Sequence, residues 1–210
     1  LKYVIKIGGS AFDLGARVVI PLCKSLDKIK SSDLYITAGG GILLDVMKDI
    51  KEDYQINNKL YDNFSWKLID VNLKTLGLFV NNHKVCTIKE TEDIRGSESD
   101  VHTVRLAEEL NINTIVFLKD TSGIFSKDPN RYENARFYSE ATSNEMKNEI
   151  SRIGVDNRGG HLIEDSAIDI FQESKVVKEI IILDCKDKFS FQKFLDGESI
   201  GSKIIKNKKT

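Results

Sequence analysis

Apolar residues follow two rhythms along this chain. Val4-Ile5-Lys6-Ile7 and Leu34-Tyr35-Ile36-Thr37-Ala38 are short runs of strand type, whereas residues 18–29 and 42–50 repeat apolar positions at helical spacing. Both strands run into glycine turns, Gly8-Gly9-Ser10 and Gly39-Gly40-Gly41, so the opening reads βαβα and predicts a parallel α/β sheet. The pattern then predicts a helix over 58–80, a strand over 85–88, a helix over 100–110 with serine caps in Gly96-Ser97-Glu98-Ser99, and a buried strand over 113–118. Residues 119–130 are rich in turn formers. Helices are expected over 142–152, 162–174 and 189–195, strands over 180–183 and 202–205, and a frayed basic tail over 206–210. No internal repeat or low-complexity linker appears, and a lobe boundary is expected near residue 98, dividing 1–97 from 98–210.

Composition narrows the function classes. The 210 residues are 40% hydrophobic and 30% charged, ordinary for one globular domain. With 31 basic against 32 acidic residues the net charge is −1, so no overall field favours nucleic acid or an anionic membrane, and any anion must be held locally. Cys23, Cys86 and Cys185 are odd in number and widely spaced, which argues against a disulfide framework or a zinc site and fits a reducing cytosol. No apolar run reaches the roughly 18 residues of a membrane span, and the start lacks a signal-peptide pattern. A chain opening on Leu1 suggests trimming, and the expected location is the cytoplasm.

Four segments could carry chemistry. Gly8, Gly9 and Ser10 offer backbone N–H groups at a strand end, with Lys6 as a fixed positive charge beside them; a tight turn is the plainer reading. Gly39, Gly40 and Gly41 repeat that logic before a helix N-terminus, although three glycines also permit close strand-to-helix packing. In an open parallel sheet ligands bind outside the carboxyl ends of the strands, so both turns should face one cleft. The third segment is Ser97-Glu98-Ser99-Asp100, where Asp100 could hold a metal that bridges phosphates or could simply favour the helix dipole beside a Ser99 cap. The fourth runs from Leu118 to Asn130: Lys119 could meet a polyphosphate, Phe125 line an adenine slot and Asp128 bind ribose hydroxyls, or the whole could be solvated turn. His83, His102 and His161 share no spacing with a Ser or Cys, so a nucleophilic triad has little support. Trp66 reads as core or subunit contact.

In this order the four segments resemble the amino acid kinase superfamily, which includes carbamate, acetylglutamate, aspartate and uridylate kinases. Lys6 to Ser10 is similar to its first phosphate loop and Gly39 to Gly41 to its second. Ser99-Asp100 resembles its Ser/Thr-Asp helix start, and Gly123 to Pro129 its "DGVYxxDP" nucleotide loop. Phe117-Leu118-Lys119-Asp120, Ile163-Glu164-Asp165-Ser166-Ala167 and Gly197-Glu198-Ser199-Ile200-Gly201 resemble the uridylate kinase and molybdenum storage protein branches. The resemblance implies a three-layer αβα sandwich with a mainly parallel central sheet, an acceptor-side lobe over 1–97 and a nucleotide-binding lobe over 98–210. It also implies ATP and Mg²⁺ as cofactors, catalytic roles for Lys6 and Asp100 with Asp100 at the metal, and phosphate binding by Gly8, Gly9, Ser10, Gly39, Gly40, Gly41 and Ser99. Lys119, Asp120, Gly123, Phe125, Asp128 and Pro129 would bind ATP. The partners implied are ATP and a small-molecule acceptor, without nucleic acid or membrane, in a dimer-based homo-oligomer of up to six chains.

The departures bear on the acceptor. Uridylate kinases carry an arginine after the second glycine loop, where this chain has Ile42-Leu43-Leu44-Asp45, and Ser122 replaces the usual aspartate before Gly123. The acceptor is expected near Asp45, Asp62, Ser65 and Asp70. The implied activity is phosphoryl transfer from ATP to a small phosphorylated or acidic acceptor, UMP first. Its rivals are a non-catalytic ATP-binding store for molybdate or tungstate, and a kinase of aminomethylfuran phosphate or isopentenyl phosphate.

Overall fold

The computed structural model describes residues 1–86, 99–147 and 162–207. In chain order these form β1 (Lys2–Ile7), α1 (Gly9–Asp13), α2 (Ala16–Asp27), β2 (Asp33–Ala38), α3 (Ile42–Asp53), α4 (Asn58–Gly77), β3 (Lys84–Val85), α5 (Ser99–Glu109) and β4 (Thr114–Lys119). They continue with β5 (Ile124–Phe125), β6 (Phe137–Tyr138), β7 (Glu140–Thr142), α6 (Ser143–Glu145), α7 (Asp165–Glu173), β8 (Glu179–Asp184), α8 (Ser190–Leu195) and β9 (Ser202–Ile205).

The central sheet has the order β3-β2-β1-β4-β8-β9-β7. Its pairs are parallel except β8–β9, and β5–β6 is a separate antiparallel hairpin. Strands buried on both faces explain the near-continuous apolar runs of β1, β4 and β8. One core packs α2, α4 and α8 on the sheet through Leu22, Leu26, Ile69, Leu73 and Phe191. The other packs α5 and α7 on the opposite face through Val104, Ala107, Ile168 and Phe171. This is the expected αβα sandwich, with a mainly parallel sheet.

Several local expectations change. Gly9 and Ser10 open the short helix α1 rather than forming only a tight turn. The turn-rich stretch after β4 contains β5. Thr142 closes β7 and caps α6, with its hydroxyl accepting from Glu145 N, so the helix expected over 142–152 begins one residue later. The tail is anchored at its start, since Lys206 Nζ donates to Ser174 O and Asn207 N to Gln172 Oε1 at 2.9 Å. The expected Ser97 cap, His161, the lobe boundary near residue 98 and the end of the 85–88 strand lie outside the described residues.

Candidate active site

Strand alternation delivers two lysines to one place. Val4 in β1 and Phe117 in β4 face the α5–α7 core, so Lys6 and Lys119, each two residues on, turn the same way. Parallel register sets Lys6 beside Phe117, which leaves Lys119 one step nearer the strand end. The Phe117 ring lies beneath both, with its centroid 5.7 Å from Lys6 Nζ and 5.4 Å from Lys119 Nζ.

The first turn of α5 closes the group. Lys6 Nζ donates to Ser99 Oγ at 2.7 Å and pairs with Asp100 Oδ1, while Lys119 Nζ lies 3.6 Å from Asp100 Oδ2. One carboxylate therefore spans two ammonium groups. Lys6 is 2% exposed and Asp100 3%, so the charges are held by each other rather than by water. Burial pushes the Lys6 ammonium below its ordinary range against the pull of Asp100. Burial alone would raise the Asp100 carboxyl, but Lys119 and Lys6 outweigh it and hold it low.

Glu164, just before α7, completes the cluster: its Oε2 accepts from Asp100 N at 2.9 Å. Burial first, then the neighbouring Asp100, pushes the Glu164 carboxyl up to about 7.

The two glycine turns meet at the strand ends, where a Cβ on Gly8 would lie 3.2 Å from the Lys119 side chain. Gly8 N donates to Leu118 O and Gly39 N to Ile7 O, tying both turns to the strand ends. A Cβ on Gly9 would lie 2.3 Å from Gly41 N, so the turns touch backbone to backbone. Gly41 adopts φ +70°, a left-handed conformation that favours glycine. Asp13 Oδ1 accepts from Ile42 N at 2.8 Å and so caps α3 at the second turn.

The expected nucleotide residues begin at the end of β4 and follow it along the chain. Lys119 and Asp120 are half-buried, Gly123 is buried, and half-buried Phe125 meets Phe137 edge-on at 5.3 Å. Asp128 is buried with its carboxylate spent within the loop: Oδ1 accepts from Asn130 N at 2.8 Å, and Oδ2 lies 3.3 Å from Arg131 Nε, with Pro129 half-buried beside it.

The expected acceptor residues are spread over α3 and α4. Asp45 is exposed, Asp62 half-buried, Asp70 paired with Lys74 at 2.7 Å, and the buried Ser65 donates its hydroxyl to Tyr61 O at 2.9 Å. α4 reaches the second turn through Asn72, whose Nδ2 donates to Gly39 O at 2.7 Å. Trp66 packs edge-on to His102 of α5 at 5.6 Å. Burial, then Lys6, lowers the His102 imidazole to about 4, so it is neutral at pH 7.

The donor set does not suit a protein-held Mg²⁺. Both oxygens of Asp100 are engaged by lysines, and among the described residues no group of three or more His, Cys, Asp or Glu could hold a metal. The cysteines are buried and free, and no helix among the described residues is long and apolar enough to cross a membrane.

Asp13, Asn72 and Glu164 carry no site role in the sequence reading. Glu164 alone left a trace there, inside the segment that resembles the family's helix start.

Residues 83–184 match the amino acid kinase family. The match takes in just under half of the chain, which is similar to that family over those residues. It is 31% identical over 109 residues to a uridylate kinase of Methanobrevibacter smithii, covering 51% of this chain and 47% of that relative. It is 32% identical over 117 residues to a glutamate 5-kinase of Nitrosococcus oceani, covering 53% of this chain and 30% of that relative. These matches thus span half or less of the relatives' length. The crystal structure of uridylate kinase from Archaeoglobus fulgidus superposes with a TM-score of 0.76 at 16% identity, covering 97% of this chain and all of that one, a likeness of fold. The resemblance read from the four segments and the αβα sandwich are both borne out.

Proposed function

We propose that the chain is an ATP-dependent phosphotransferase acting on a small phosphorylated acceptor, with UMP the first to test. The observation that carries this reading is the bridging of Lys6 and Lys119 by Asp100, with Lys119 against the first of two touching glycine turns. Phosphoryl transfer needs positioning and neutralisation of spreading negative charge more than covalent help, and two fixed ammonium groups supply both. Lys6, spaced by Asp100, faces the transferred group; Gly8, Gly9, Ser10, Gly39, Gly40, Gly41 and Ser99 line the phosphate path. Lys119 meets the ATP phosphates, and Asp120, Gly123, Phe125, Asp128 and Pro129 form the nucleotide side. Residues 98–210 serve ATP and 1–97 the acceptor. Mg²⁺, if it takes part, would come with ATP rather than be held by protein carboxylates, and would supply further neutralisation of phosphate charge.

The uridylate kinase relatives support a nucleoside monophosphate acceptor. A second reading, an acceptor with an apolar body such as isopentenyl phosphate, is favoured by the first turns of α3: Ile42, Leu43 and Val46 are 47%, 59% and 45% exposed directly after the second glycine turn. Asp45, Asp62, Ser65 and Asp70 belong to the acceptor side in either reading. α3 buries none of its residues, and α4 exposes Leu60, Phe64 and Val71, continued by Leu78 at its C-cap, a stripe that supports pairing with a second copy in a dimer-based assembly.

Single-turnover transfer from γ-labelled ATP to UMP, CMP, isopentenyl phosphate and carbamate tests the function. Transfer to UMP alone is expected from the leading reading and transfer to isopentenyl phosphate from the second. Tight ATP binding with transfer to none, together with molybdate or tungstate uptake, would sink both.

A further inference from the structure

Glu164 stands at the N-cap of α7 with φ −60° and ψ 136°, yet its side chain makes no bond to its own helix. It reaches α5 instead. Its Oε2 accepts from Asp100 N at 2.9 Å, while Asp100 Oδ2 accepts from Glu164 N at 3.3 Å, so each carboxylate caps the other's helix across 64 positions of sequence. The exchange has the logic of a capping box, but between two helices. Asp100 has only two oxygens, and they serve Lys6, Lys119 and Glu164 N together; rotating the carboxylate breaks one of the three contacts. Holding the Asp100 backbone is therefore as important as holding its side chain.

We propose that Glu164 is a positioning residue for phosphoryl transfer: by clamping the first turn of α5 to that of α7, it fixes the carboxylate that spaces Lys6 from Lys119. The proposal rests on the phosphotransfer reading. Glu164 acts through Asp100 and touches no substrate. A carboxylate free to shift by an ångström would misplace both ammonium groups, and displacements of that size cost on the order of 100-fold in rate.

Glu164→Ala and Glu164→Gln test the role, by steady-state kinetics with ATP and the accepted acceptor and by amide hydrogen exchange of the free protein. In folded Glu164→Ala, kcat should fall roughly 10- to 100-fold while KM for ATP moves less than about threefold. Glu164→Gln keeps an acceptor oxygen for Asp100 N and should recover most of that loss. The Asp100 amide should exchange at least about tenfold faster in Glu164→Ala than in the wild type or Glu164→Gln, with the β1 and β4 amides unchanged. An unaltered kcat in folded Glu164→Ala, or Gln no better than Ala, overturns the positioning role. Unaltered Asp100 exchange overturns the clamp itself. A wild type that transfers to no acceptor but keeps the exchange pattern sinks the phosphotransfer reading and the catalytic role with it, while leaving the clamp established.

Discussion

The Lys6–Asp100–Lys119 group and the α3–α4 layer both adjoin the glycine turns, but they are held differently. The first is assembled from β1, β4 and α5, with Glu164 behind it, and each of its contacts crosses a long stretch of sequence. The second is a pair of helices, one of which buries nothing, with apolar side chains turned outward. The contrast teaches where change is tolerated. A buried carboxylate shared by two cations admits one arrangement, whereas an exposed helix face can vary in what it recognises without disturbing the sheet. On the proposed function, phosphate handling would belong to the interior, and acceptor choice and self-association to the outer layer.

Substitution in the interior should have the largest effect. Asp100→Asn leaves Lys6 buried beside a neutral amide, and losing one partner of a buried ion pair costs about 3–5 kcal/mol. Denaturant melts should show that loss, and turnover should vanish; a variant as stable as the wild type would mean the lysines do not depend on Asp100.

Two glycines sharpen the comparison. Gly9→Ala drives a Cβ to 2.3 Å from Gly41 N and should destabilise by about 1–3 kcal/mol, whereas a Cβ at Gly77, at the end of α4, meets nothing within 4 Å. Gly77→Ala should be neutral or stabilise by up to ~1 kcal/mol. Equal melting of both variants would break the distinction between regions.

The interior also predicts two opposed pH responses. His102 has a folded value of about 4, below the ordinary 6.5, so its contribution is present above pH 6.5 and is lost as pH falls through 4. Wild type minus His102→Gln should therefore shrink on acidification, by about 3 kcal/mol in all. Glu164 is raised to about 7 from 4.5, so its contribution is present below pH 4.5 and is lost as pH rises through 7. Wild type minus Glu164→Gln should shrink in the other direction. Melting curves from pH 4 to 8 that give both differences the same sign would contradict the placement of these groups.

The smallest stability effects belong outside. Val71→Ser and Leu78→Ser, at side chains 60% and 74% exposed, should each change folding by less than about 0.5 kcal/mol. Light scattering should nevertheless show a shift toward monomer if α4 pairs with a second copy. A normal assembly with both substitutions combined would remove α4 from the interface.

Much of the inner sheet was legible because period and punctuation agreed: β9 occupies 202–205 as read, and β1, β2, β4 and β8 lie within two residues of their expected bounds. What escaped was short or distant. α1 begins on Gly9, a poor helix former that tertiary contact with Gly41 holds in place. The two-residue strands β5 and β6 have no periodicity of their own and exist by pairing with each other. Lys6 and Asp100 were legible through glycine turns and a helix start. Glu164, Asn72 and Asp13 were not, because their partners lie 64, 33 and 29 positions away and no local pattern announces a cap on someone else's helix or turn.

Lys6→Ala gives the most direct test of the central claim that the lysine pair bridged by Asp100 is the phosphoryl-transfer centre. Single-turnover transfer from ATP and ATP binding should be measured on the same folded preparation. Transfer reduced by at least about 1,000-fold, with ATP binding weakened but detectable, is the predicted result; transfer at the wild-type rate would contradict it.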